Sequence, residues 1–274
     1  MILKFTKMHG TGNDFVVVDD RAAAFKVTAE RAKLILDRRF GVGGDQLLVL
    51  RNCPDADMEM RIYNADGSEV EMCGNGIRCA ALYARSRGIV SKNDLTVKTL
   101  AGIIRPTIVG GLVRVDMGIP QFDGPKIPVN LQGEIIDRPI EIDGRSLLIN
   151  CVSMGNPHCV IYVTDLDNAP VGTAGPELER HPMFPNRVNV EFAQVISRSE
   201  IRMRVWERGS GETMACGTGA CAAAVMSVRK GLVDREVTVH LRGGDLIINL
   251  NDSGRVIMTG PAAEVYRGEM NLQG

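Results

Sequence analysis

Cys73-Gly74-Asn75-Gly76 opens an alanine-rich run ending near Gly88, and Cys216-Gly217-Thr218-Gly219 opens a second run ending near Gly231. The cysteines and the closing glycines share one separation, 143 positions (73 to 216, 88 to 231). The same offset carries Gly12-Asn13 onto Gly155-Asn156 and Gln46 onto Asn189. It also carries Arg61-Ile62-Tyr63-Asn64 onto Arg204-Val205-Trp206-Glu207, and Glu69 onto Glu212. A chain duplicated in this way folds as one module made twice, and here each copy has a Cys-Gly-x-Gly turn.

The pattern inside a copy sets the fold class. Residues 3–8 alternate and predict a strand, and Phe15 to Asp19 predicts a buried one. Thr28 is placed to cap a helix reaching Arg39. Gln46 to Leu50, Met58 to Asn64, Thr96 to Thr99, Ile103 to Val109 and Leu112 to Met117 read as further strands. The second copy repeats the order, with strands at Leu147 to Ser153, Cys159 to Val163, Val188 to Ala193 and Ile201 to Trp206, and a helical piece at Gly175 to Arg180. The helix after Cys216 carries Ala220, Ala222, Ala223, Ala224, Val225 and Met226, which leaves almost no polar face. A helix apolar all round is buried. The expected class is therefore α+β. It has two pseudo-symmetric repeat domains, each a strongly curved, mainly antiparallel, barrel-like sheet around a central buried helix, with the active site in the cleft between them. The proline- and glycine-rich stretch Gly118 to Pro128 marks the joint. The expected halves are 1–118, joined by the C-terminal segment 263–274, and 119–262.

Composition narrows the function. A net charge of −1 gives no basic footprint for nucleic acid and no polybasic anchor for a membrane. Residues 1–7 lack the apolar core of a signal peptide. The odd cysteine count, seven, and no secretory signal point to reduced thiols in a cytoplasm.

The paired turns suggest the chemistry. The first turn of a helix leaves backbone N–H groups unpaired and carries partial positive charge. Glycine there lets an anion approach closely, and a cysteine there is expected to have a lowered pKa. Cys73 and Cys216 thus read as two activated thiols, each beside an anion site the size of a carboxylate. Two such thiols across one cleft suit removing a proton from one face of a carbon and delivering one to the other. Cys53, Cys79, Cys151, Cys159 and Cys221 lack that context and read as inert core. The cysteine spacing holds no C-x₂-C pair, against zinc or a dithiol redox centre, and neither turn ends in Gly-Lys-Ser/Thr as a nucleotide loop does.

The chain closely resembles the diaminopimelate epimerase family. The matching segments are Lys7-Met8-His9-Gly10-x-Gly12-Asn13-Asp14-Phe15, Gly41-Val42-Gly43-x-Asp45-Gln46, Tyr63-Asn64-Ala65-Asp66-Gly67-Ser68 and Met72-Cys73-Gly74-Asn75-Gly76-x-Arg78-Cys79. They continue with Met154-Gly155-Asn156-Pro157-His158-Cys159, Glu207-Arg208-Gly209 and Ala215-Cys216-Gly217-Thr218-Gly219. The resemblance implies interconversion of LL- and meso-diaminopimelate, a small-molecule substrate, without cofactor or metal, in lysine and peptidoglycan precursor biosynthesis. It implies Cys73 and Cys216 as the acid/base thiols. Gly74, Asn75, Gly217 and Thr218 would offer N–H groups to the reacting carboxylate; Thr218 stands where some members have serine. Glu207, with the Arg208 backbone, would hold the reacting ammonium. Asn13, Asn64, Asn156, Asn189 and the Arg208 side chain would recognise the distal end, with Gln46 nearby. His158 and Glu207 would tune the thiol pKa values. Tyr266 matches a position associated with a homodimer contact.

The nearest rival is the proline and hydroxyproline racemases, which the chain resembles in fold and two-thiol chemistry. Those typically have histidine where this chain has Asn75, and an Asp-Arg-Ser-Pro segment that is absent here. The copies also differ where Asn64 pairs with Glu207 and Asp66 with Gly209. Such differences would make the site asymmetric.

Overall fold

The computed structural model describes residues 1–142 and 144–272. The last two residues of the expected C-terminal segment, 273 and 274, lie outside the described ones. The chain forms two compact units. One is Met1–Val115 together with the segment that begins at Gly260; the other is Asp116–Thr259.

The first unit runs β1 (Ile2–Gly10), β2 (Asn13–Asp19), α1 (Ala29–Leu36), β3 (Gln46–Arg51), β4 (Met58–Asn64), β5 (Glu69–Val70), α2 (Gly74–Ser86), β6 (Val97–Thr99), β7 (Gly102–Ile104), β8 (Thr107–Val109) and β9 (Leu112–Asp116). The second runs β10 (Arg138–Ile142), β11 (Arg145–Ser153), β12 (Pro157–Tyr162), α3 (Val171–Glu179), β13 (Asn189–Ser197), β14 (Glu200–Glu207), β15 (Gly211–Glu212), α4 (Gly217–Arg229), β16 (Glu236–Leu241), β17 (Gly244–Leu250) and β18 (Val256–Gly260). The last strand, β19 (Ala263–Asn271), returns to the first unit.

The duplication is visible in the topology. The first sheet orders its strands β19-β1-β2-β3-β4-β6-β7, with β5 on β4. In the second unit the path runs β10-β11-β12-β13-β14-β16-β17-β18, with β15 on β14. Most steps are antiparallel. The parallel ones are β2 to β3 and β4 to β6 in the first unit, β12 to β13 and β14 to β16 in the second. A parallel step needs a crossover, and each of these encloses one helix: α1, α2, α3 and α4 in turn. Neither path closes on itself, so each sheet is open and curved rather than a barrel.

In each unit the sheet wraps one helix. α2 packs on β1, β2, β3, β4, β8 and β19; α4 packs on β11, β12, β13, β14, β16 and β17. Ala220, Ala222 and Ala223 are wholly buried, and their small side chains let strands approach from every side. Truncating the buried Met226 to alanine would remove stability of about 2–5 kcal/mol.

Three local readings differ from the sequence expectations. α1 keeps its Thr28 cap, whose Oγ1 accepts from the Arg31 N–H at 3.3 Å, but stops at Leu36. Asp37 turns extended, and its carboxylate accepts from the Arg39 and Phe40 N–H groups. The strand expected over Ile103 to Val109 is two strands, β7 and β8, parted at Arg105-Pro106. Proline has no N–H to give a ladder. The helical piece expected from Gly175 begins at Val171. Among the described residues no helix is long and apolar enough to cross a membrane.

Candidate active site

Both helix starts are built the same way. Cys73 is the N-cap of α2 with extended backbone (φ −140°, ψ 118°), and its sulfur accepts from the Gly76 N–H at 3.4 Å. Cys216 is the N-cap of α4 (φ −122°, ψ 113°), and its sulfur accepts from the Gly219 N–H at 3.3 Å. The first intrahelical bonds are Ile77 N–H to Cys73 O and Ala220 N–H to Cys216 O, both 2.9 Å. The N–H groups of Gly74 and Gly217 come before them, at the positive end of each helix.

In the first unit, Cys73 is ringed by amides. Its thiol points at Asn13 Oδ1, 3.9 Å away, and the same oxygen accepts from Asn75 Nδ2 at 3.1 Å. Asn13 Nδ2 donates to Asp45 Oδ2 at 2.7 Å. Gln46 Nε2 donates to Asn64 Oδ1 at 2.8 Å, and Asn64 Nδ2 to Ser68 Oγ at 3.1 Å. Gln46 Oε1 is buried with no hydrogen-bond partner among the described residues. Under α2 the wholly buried Arg78 holds the turn, donating to Gly74 O and Thr11 Oγ1 and, through Nε, to Pro261 O.

In the second unit, Cys216 lies 3.4 Å from Thr218 Oγ1, which accepts from Asn156 Nδ2 at 3.3 Å. Asn156 Oδ1 is 2.9 Å from His158 Nε2, and His158 Nδ1 is 2.7 Å from Glu191 Oε1. His158 and Glu191 are both 0% exposed. Glu207 accepts a short hydrogen bond from the Thr213 hydroxyl. Asn189 Oδ1 accepts from the Arg208 N–H at 3.0 Å, and its Nδ2 donates to Pro157 O at 2.9 Å. Each end of the Asn189 amide makes one backbone bond, which leaves the second Nδ2 hydrogen and one Oδ1 lone pair for another partner. The Arg208 guanidinium donates to Asn186 O at 3.1 Å.

Cys216 departs from the lowered pKa expected of a cysteine at a helix start. Burial pushes this thiol well above its ordinary value, and the Glu207 and Glu191 carboxylates push it further. The Thr218 hydroxyl and the Gly219 N–H pull the other way and lose. Only 5% of the residue is exposed, so desolvation of the thiolate outweighs the helix end.

The expected site residues therefore gather in two groups. Asn13, Gln46, Asn64, Cys73, Gly74 and Asn75 belong to the first unit; Asn156, His158, Asn189, Glu207, Arg208, Cys216, Gly217 and Thr218 belong to the second. Tyr266 joins neither. It is 47% exposed on β19, with its ring edge-on to Phe5 at 6.0 Å. Cys79, Cys151, Cys159 and Cys221 are buried as expected, while Cys53 is half-buried. Sequence reasoning missed Glu191, Asp45 and Thr213. Glu191 carried one signal: an ionisable residue inside the apolar strand Val188 to Ala193. Among the described residues no cluster of three His, Cys, Asp or Glu side chains could hold a metal ion.

Comparison with known proteins follows the same lines. A family model described as diaminopimelate epimerase matches residues 5–122 and 150–265. The diaminopimelate epimerase of Moorella thermoacetica is 52% identical over 280 residues, spanning 98% of this chain and 100% of its own. That of Acetivibrio thermocellus is 50% identical over 277 residues, spanning 98% and 99%. Among solved structures, a phenazine biosynthesis protein of the PhzF family from Bacillus anthracis superposes with a TM-score of 0.71 at 19% identity, covering 99% of this chain and 100% of that one. A probable proline racemase from Agrobacterium radiobacter gives 0.72 at 17%, covering 99% and 93%. At such identities the structural likeness speaks for the fold alone.

Proposed function

Because the chain belongs to the diaminopimelate epimerase family, we propose that it interconverts LL- and meso-2,6-diaminopimelate by a two-base reaction on Cys73 and Cys216, with no cofactor. The observation that carries this reading is the pair of cysteine N-caps, each sulfur held by the N–H three residues on. One thiolate takes the α-proton and becomes a thiol. The electron pair left on the α-carbon is delocalised into the adjacent carboxylate. The other thiol then delivers its proton to the opposite face. Two helix N-termini aimed at that carboxylate, through the N–H groups of Gly74, Asn75, Gly217 and Thr218, stabilise the charge as it develops.

Glu207 ties binding to activation. Its carboxylate is one of the groups that raise the Cys216 pKa. An ammonium bound on Glu207 neutralises that influence, so Cys216 gives up its proton more readily once the substrate's reacting amine is seated. At the distal end, the unpartnered Gln46 Oε1 is an acceptor for the second ammonium, and the amides of Asn13, Asn64, Asn156 and Asn189 and the Arg208 guanidinium can serve its carboxylate. The reaction belongs to the formation of lysine and of peptidoglycan precursors. The enzyme works in the cytoplasm as a homodimer, and the exposed Val265 and Tyr266 on β19 supply the apolar contact.

Incubation of the reduced protein in D₂O with diaminopimelate tests the reaction. Deuterium arriving at the α-carbon, with no added pyridoxal cofactor or metal, is the expected result, and proline should remain unlabelled. Labelled proline with unlabelled diaminopimelate would overturn the reading.

A further inference from the structure

The geometry points to Glu191 as a positioning residue for Cys216. It fixes the ring protons of His158, so that a one-way run of hydrogen bonds ends with the Thr218 hydroxyl donating to the Cys216 sulfur. This inference deepens the proposed function and rests on it for its catalytic consequence.

The run is read from the amide of Asn156. Its Nδ2 donates to Thr218 Oγ1, so its Oδ1 is the atom that faces His158 Nε2 at 2.9 Å. A carbonyl oxygen only accepts, and therefore Nε2 carries a hydrogen. The other ring nitrogen lies 2.7 Å from Glu191 Oε1, and one proton sits between them whichever atom holds it. The pair is then net neutral, either imidazolium with carboxylate or imidazole with carboxylic acid. That is the state a wholly buried pair requires, since a lone buried charge is far costlier. Thr218 Oγ1 lies 3.4 Å from Sγ, and once Cys216 is a thiolate, which can only accept, the hydroxyl is the donor of that bond. A donor there favours the thiolate over the thiol. The charged and titratable groups around Cys216 are Glu207 on β14, Glu191 on β13 and His158 on β12.

The first unit shows that the fold does not need this pair. At the 143-residue offset His158 corresponds to Phe15 and Glu191 to Leu48. They occupy the same place: a Cβ built on Gly76 would meet Leu48 Cδ2 at 3.2 Å and Phe15 Cε1 at 3.5 Å, and one on Gly219 would meet Glu191 Oε1 at 2.8 Å. Two apolar side chains fill in one unit the space that an ionisable dyad fills in the other. Thr218 corresponds to Asn75, which has no hydroxyl to turn toward the sulfur.

The double variant His158→Phe/Glu191→Leu places the first unit's residues at these positions and keeps the volume filled. It should fold and melt close to the parent, with kcat lowered about ten- to a hundredfold, KM nearly unchanged, and the limb of the pH–rate profile set by Cys216 ionisation moved to higher pH. A folded variant with the parent's kcat and pH profile overturns the inference. Should the double variant not fold, the single variants decide. Glu191→Gln, whose amide can donate to Nδ1, recovers most of the rate that Glu191→Leu loses; equal rates in the two overturn the inference. Histidine ¹⁵N NMR reads the dyad without substrate, the His158 signals being assigned by a His158→Phe variant. A protonated Nε2 is expected, and an unprotonated Nε2 beside a protonated Nδ1 sinks the proton assignment. A parent enzyme inactive on diaminopimelate defeats the proposed reaction while leaving the NMR result standing, so the two failures are distinguishable.

Discussion

The two helix starts share a backbone and differ in what surrounds the sulfur. Cys73 sits among the amides of Asn13 and Asn75, over Phe15 and Leu48. Cys216 sits beside the Thr218 hydroxyl, over the His158–Glu191 dyad, within the field of Glu207. Duplication supplied two copies of one device, the sulfur held on the N–H three residues along. Divergence altered the electrostatics beneath it. Under the proposed two-thiol reaction, the two faces of one carbon must be treated nearly alike while the reacting and distal ends of the substrate are held differently. Like backbones with unlike neighbours meet both demands.

The comparison breaks most completely when either sulfur is removed. Cys73→Ala and Cys216→Ala should each lower epimerisation by about 10²–10⁴-fold in a coupled or deuterium-exchange assay, while Cys53→Ala leaves it unchanged. Exchanging the unlike pair comes next. Asn64→Glu with Glu207→Asn should cost on the order of 100-fold in kcat/KM, since the ammonium anchor moves to the wrong unit. Retained turnover would show that the asymmetry lies elsewhere.

The glycines give a finer contrast. In Gly219→Ala the new methyl meets Glu191 Oε1 at 2.8 Å, an atom held by His158; in Gly76→Ala it meets a Leu48 methyl at 3.2 Å. Gly219→Ala should therefore lose about tenfold more activity than Gly76→Ala, with both melting temperatures measured alongside. Removing one charge acts on a single property. Glu207→Gln should lower the Cys216 pKa, and iodoacetamide should alkylate that thiol several-fold faster at pH 8. The smallest effect is on stability. Burial raises the thiol pKa values of Cys79 and Cys216 in the folded state, whereas unfolded thiols ionise near about 8.5. Above that pH the unfolded chain binds fewer protons, so stability present at pH 7 declines as pH rises. Denaturant melts at pH 7 and 9.5 should show the decline, and Cys79→Ala should reduce it.

Much of this was legible before any coordinates. The offset of 143 located both helix starts, and the composition of the second helix required its burial. Local rules sufficed there, because an N-cap is made by residues three apart. The direction of the Cys216 shift was not legible. Helix-end stabilisation is local, but the desolvation that defeats it comes from strands distant in sequence. Glu191 was missed for the same reason. Within Val188 to Ala193 its charge has no local partner, and its partner is 33 residues away on β12. The break at Pro106 was readable from the missing N–H alone. The segment 263–274 was expected to join the first half, but that it does so as the strand β19, paired with β1, was not legible, because its exposed side chains hide the alternation.

That last pairing governs the order of assembly. β1 binds β19 from Ile2 opposite Asn271 to His9 opposite Ala263. Every strand of the second unit precedes β19 in the chain. During synthesis the copy encoded later can therefore complete its sheet first, while the copy encoded earlier waits with one flank of β1 unpaired. Closing so long a loop slows folding far more than it reduces final stability. Until β19 arrives, the open side of β1 is an unpaired strand edge available for mispairing and for chaperone engagement.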